Sequence, residues 1–115
     1  MLRIDVSRLV GLRRERDALS ASSSAAAARV REARDQLEHA RERLRQARGT
    51  APDQFGQYGQ VAPATIPRCE EVARQAETEF ADARAAAEIA SERAAAASGL
   101  VQNCERVARE MGALK

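Results

Sequence analysis

Residues 68–111 read RCEEVARQAETEFADARAAAEIASERAAAASGLVQNCERVAREM. They place Cys69, Ala73, Ala76, Phe80, Ala83, Ala87, Ala90, Ala94, Ala97, Val101, Cys104, Ala108 and Met111 at alternating steps of four and three residues. Small or apolar side chains at that spacing return to one face of a helix and hold it against another helix; a strand would need a step of two. The first half repeats the pattern with Leu9, Leu12, Arg16, Leu19, Ser23, Ala26, Val30, Ala33, Leu37, Ala40, Leu44 and Ala47. Between the halves, residues 49–65 (GTAPDQFGQYGQVAPAT) hold Gly, Pro and two of the three aromatics. Two striped helices around one breaker-rich segment predict an all-α fold, a long antiparallel two-helix hairpin built as an Ala-rich coiled coil.

The ends follow from local chemistry. Helix 1 is expected over about 5–48, with Asp5 as N-cap and Ile4 and Leu9 spaced for a hydrophobic staple. Gly49 stands where a C-terminal glycine cap belongs, behind Arg45 and Arg48, whose charges suit that end of the helix dipole. Gly11 weakens the first turns, and LRIDV (2–6) alternates well enough for a short extended start. Helix 2 is expected over about 66–111, with Thr65 as N-cap, Pro67 in the first turn and Gly112 as terminator. Pairing positions whose numbers add to about 117 sets the small run 20–28 against 94–97, Leu37 near Phe80, and Leu9 and Leu12 near Cys104, Val107 and Met111. Small then faces small and large faces large, which favours the antiparallel hairpin over a parallel dimer.

Burial is the weak point of such a chain. Trp is absent and only three residues are aromatic, and each seam alanine removes little apolar area at about 25 cal/mol per Å². The hairpin is therefore expected to be completed by a second copy or by another protein. The first place to look is the end where the termini meet: Leu2, Ile4 and Val6 from helix 1, with Leu100, Val107 and Leu114 from helix 2, exceed what two helices cover. The larger seam side chains (Leu9, Leu12, Leu19, Val30, Leu37, Leu44, Phe80, Val101, Cys104, Met111) are expected to hold the hairpin itself.

A net charge of +2 hides an asymmetry: residues 1–48 carry twelve Arg against seven acids, residues 67–115 seven basic residues against nine acids. The Arg excess of helix 1 makes nucleic-acid binding the competing reading. Acids at helical spacing (Arg31 with Asp35, Arg34 with Glu38, Glu38 with Arg41, Glu42 with Arg45) fit better with a solvated helix face. Eighteen Arg to one Lys, with abundant Ala, suggests a GC-rich genome.

Catalysis finds little support in this sequence. His39 is the single histidine and falls off the stripe. The adjacent carboxylates Glu70–Glu71 and the pair Glu77 and Glu79 point to different helix faces. No phosphate-loop or dinucleotide motif occurs. Cys69 and Cys104 stand thirty-five residues apart on one helix, about 50 Å at the helical rise, too far to bridge or chelate together. Both read as small apolar seam residues, an intermolecular bridge being the alternative. The expectation is no enzyme, no cofactor and no metal. No signal-peptide pattern and no membrane-spanning apolar run is present, which suggests a cytoplasmic or virion-associated protein.

The connector is longer than the 2–8 residues that usually join helices of a bundle. Its near repeat, Phe55-Gly56-Gln57 and Tyr58-Gly59-Gln60, offers two rings that either dock a partner or fold over the helix ends near Leu44, Val61 and Ile66. In length, helix number and aromatic-glycine dipeptides at the turn, the chain resembles the small hairpin proteins of bacterial type VII secretion, while lacking their Trp, their aromatic-x-Gly turn tripeptide and a C-terminal tyrosine signal. That resemblance implies a secreted helical hairpin; export stalks and small helical phage proteins share the shape. The function expected is that of a non-catalytic structural or assembly protein, with Phe55 and Tyr58 as candidate docking residues.

Overall fold

The computed structural model describes residues 6–49 and 65–112. Two helices account for nearly all of them: α1 (Val6–Gly49) and α2 (Thr65–Glu110). Met111 and Gly112 form a turn at the end of α2. The fold is all-α among the described residues, a long helical hairpin. Leu2, Ile4, Phe55, Tyr58 and Leu114 lie outside them, as does the side chain of Val6, so the expected docking rings and four of the six side chains of the expected terminal patch are not placed.

The chain divides into two compact units, one of residues 1–27 with 86–115, the other of residues 28–85. In the second unit, Leu37 and Ala40 from α1 and Ala73 and Ala76 from α2 form a buried cluster, with Leu44 and Phe80 packed against it. The Arg41 Nη2 donates to Glu77 Oε1 across the pair at 3.3 Å. In the first unit the buried side chains are Leu9 and Ala26 from α1 with Val101 and Ala108 from α2, the last two each 1% exposed. There the Arg13 Nε donates to Glu105 Oε1 at 2.8 Å. In each unit the residue numbers across the ion pair add to 118, so the segments run antiparallel in the register expected from matching bulk, with Phe80 against the cluster that holds Leu37.

The seam follows the stripe. Every stripe position of α1 from Leu9 to Ala47 is buried or half-buried, Arg16 and Ser23 included, and so is every stripe position of α2 from Cys69 to Ala108. Most of the residues between them are exposed. Alanine suits this role because a methyl lets two helices approach closely while burying no polar group.

Two details depart from the sequence reading. Met111 is 47% exposed and does not join the seam. α2 ends at Glu110, and the register sets Met111 against residue 6, where α1 begins. Gly49 is the last residue of α1 rather than the left-handed cap behind it. Among the described residues only Gly112 has positive φ, at 74°. Its N–H donates to the Arg109 carbonyl at 3.0 Å, while the Met111 N–H donates to the Val107 carbonyl at 3.0 Å, closing the helix end as a glycine terminator does. Gly11 lies within α1, which is helical from Val6 onward; residues 2–5 of the expected extended start lie outside the described residues.

Candidate interaction surface

Helical spacing carries two apolar stripes along the later part of α2. The seam uses Ala87, Ala90, Ala94, Ala97, Val101, Cys104 and Ala108. A second set, Ala86, Ile89, Arg93, Ala96, Leu100, Asn103 and Val107, repeats the same steps of three and four one position earlier. About 100° of rotation per residue places it on the adjacent flank. All seven members are exposed. Ile89 and Leu100 are 50% and 51% exposed, and Val107 joins them among the large apolar side chains open to solvent.

The opposite flank of the same segment is mostly polar. Glu88, Ser91, Ala95, Ser98, Gln102, Glu105 and Arg109 follow one another there, with Arg13 reaching across to Glu105. A helix needs one apolar stripe to pair with one partner, so a second stripe on one flank alone marks a directional surface. Beside it, Leu12, Glu15 and Leu19 of α1 and Arg93, Ala96, Ala97 and Leu100 of α2 line an open groove of about 360 Å³. Its floor is apolar and its two charged groups carry opposite sign.

Like most charged residues described, Glu15 and Arg93 form no ion pair; unlike most, neither has an opposite charge three or four positions away on its own helix. Some such neighbours close elsewhere: Arg45 with Glu42 at 2.7 Å, Arg74 with Glu71 at 2.6 Å and Arg106 with Glu110 at 3.1 Å. Of the four pairs read from spacing in α1, only Glu42 with Arg45 forms. Arg41 crosses to Glu77 instead.

The unpaired arginines of the second unit do not gather on one side. Arg29, Arg31, Arg34, Arg43 and Arg48 are separated by steps that carry them around the helix, with Glu32, Asp35, Glu38 and Glu42 between them. The Arg84 guanidinium sits over the Phe80 ring at 5.6 Å, a cation–π contact that covers the seam's one aromatic edge. A dip lined by Glu71, Arg74, Gln75, Thr78 and Glu79 belongs to one helix face and encloses nothing.

The chain matches no family model, no curated protein and no solved structure at a significant level. The surface therefore has to be read from its own chemistry. His39 is exposed and Cys69 and Cys104 are half-buried free thiols on the seam. Among the described residues no three His, Cys, Asp or Glu side chains converge as a metal site would require. No helix among them is long and apolar enough to cross a membrane. Of the expected terminal patch, Leu100 and Val107 are placed and exposed as a surface would need. The sequence reading missed Ala86, Ile89 and Ala96, which extend those two into a stripe, and the charged pair Glu15 and Arg93. The signal was present in the same three-four spacing, masked by Arg93 and Asn103 within it.

Proposed function

We propose that this chain is a non-catalytic assembly element, a helical hairpin whose task is to pack against other protein subunits, as a component or adaptor of a larger bacterial or phage structure. One observation carries the reading: α2 has an exposed second stripe, flanked by an apolar groove, beside a seam that is already filled. Packing a further helix there removes Ile89, Leu100 and Val107 from water, whereas no enzyme-like constellation competes for the same residues. A secretion-system hairpin is the narrower version of this reading and rests on length, helix number and the two turn dipeptides alone.

Nucleic-acid binding through α1 is the competing class, and the dispersed arginines argue against it. The two separate by salt. Phosphate contacts release counterions, so affinity for duplex falls steeply between about 50 and 200 mM salt, while apolar helix packing does not. Protein–protein association that persists at about 500 mM salt, with only weak duplex binding at low salt, is the expected result. Tight duplex binding that collapses on adding salt, with no protein association, overturns the proposal.

A further inference from the structure

We infer that the second stripe of α2 is a self-association surface, on which a second copy of this chain docks its own α2 antiparallel, completing a helical bundle around a two-fold axis. This rests on the assembly reading above and names the partner. The axis passes near Ala96. A two-fold interface must complement itself, and three features of the stripe do so.

The first is bulk. Around a centre between residues 96 and 97, Ala96 stands at the level of the partner's Ala97, allowing close approach at the middle. Toward the ends, Ala86 meets the partner's Val107, small against large. The second is the charge. Glu15 and Arg93 border one groove but sit on different levels of it: the register places Glu15 beside residues 101–103, so Arg93 lies more than two turns along the axis, about 10 Å or more away. That is beyond ion-pair reach within the chain. The two-fold brings the partner's Arg93 to the level of Leu100, within one turn of Glu15, and the same operation brings the partner's Glu15 to Arg93. Two charges without a partner in one chain become two pairs in the dimer. The third is confinement. The apolar stripe is on one flank only and breaks off toward the loop, where Asp82, Glu79 and Gln75 occupy the equivalent positions. This limits the contact to the segment whose charges match.

A different protein helix would need no such symmetry, and that distinction sets the test. Sedimentation equilibrium of the full chain from about 1 to 200 µM is expected to show a monomer–dimer equilibrium. Leu100→Arg, Glu15→Arg and Arg93→Glu are each expected to raise the dimer dissociation constant at least ~tenfold, because like charges then meet across the axis, the new guanidinium at position 100 facing the partner's Arg93. Their circular dichroism is expected to match the parent at equal occupancy, since all three side chains lie off the seam. The double exchange Glu15→Arg with Arg93→Glu is expected to restore dimerisation to within about threefold of the parent, which a merely apolar contact does not do.

A monomer at every concentration overturns the inference. So does a dimer indifferent to Leu100, or single charge reversals that the double exchange fails to rescue. The assembly reading survives those results if the chain still associates through another surface or with another protein in high salt. It falls separately if the chain binds duplex tightly and no protein at all.

Discussion

Glu105 lies at the edge of the seam with only 20% of its side chain exposed, held by Arg13 at 2.8 Å and approached by Arg109 at 4.0 Å. Glu77 makes the equivalent contact to Arg41 with both side chains 55% exposed. Water and salt screen the second pair far more than the first. Glu105→Ala is therefore expected to cost about 1–2 kcal/mol in urea unfolding and Glu77→Ala less than about 0.5 kcal/mol. Equal costs would mean that burial does not govern these pairs. Glycines give a second contrast. Gly99 is inside α2 with nothing within 4 Å of the position a Cβ would take, so it does not serve a close approach. Gly99→Ala should raise stability by up to about 1 kcal/mol. Gly112 has φ +74°, and the same change there should lower it by about 1 kcal/mol, since a Cβ disfavours that backbone.

At the scale of the helices, the seam and the flank make opposite demands on similar side chains. Val101 is 1% exposed and Val72 is 49% exposed. Removing two buried carbons from Val101 forfeits about 1.5 kcal/mol at roughly 0.8 kcal/mol each, whereas Val72→Ala is expected to change stability by less than about 0.5 kcal/mol. Thermal or urea melts of the two variants at one protein concentration settle the comparison. This contrast also shows why the seam could be read in advance. A helix pair imposes one rotational period, and Leu9 through Ala47 and Cys69 through Ala108 keep it without an error of phase. Bulk matching then fixed the register, because Phe80 needs space near Leu37 that an alanine run cannot fill. Met111 kept the period and still missed the seam, since spacing does not know where the opposite helix begins. The candidate surface was half legible. Leu100 and Val107 stood out as surplus apolar residues, but Glu15 and Arg93 become informative only when one groove is seen to hold both, at different levels and each without an ion pair among the described residues.

For the molecule as a whole, the connector offers a second candidate contact. Phe55 and Tyr58 are two of the chain's three aromatic residues, and the pairing of the two stripes requires neither to be aromatic. Two physical outcomes are open to such rings, and they differ in what they stabilise. Rings folded over the helix ends bury their area within one chain, so replacing both with Ser should lower the melting temperature and leave association by the folded fraction unchanged. Rings that dock a partner bury that area only in the complex. The same double change should then leave helicity and melting of the dilute chain nearly as they were, while weakening association with the subunit that receives them. A buried aromatic anchor commonly costs about 2 kcal/mol or more on truncation, more than tenfold in affinity. The second outcome is the one that makes the connector a docking site. The α2 stripe and the connector then act on separate contacts: Leu100→Arg should weaken self-association without touching the connector's partner, and Phe55→Ser with Tyr58→Ser should do the reverse. Measuring both variants by sedimentation and by a melt at low concentration checks this. A fall in melting temperature with unaltered association would return the two rings to the hairpin's own core.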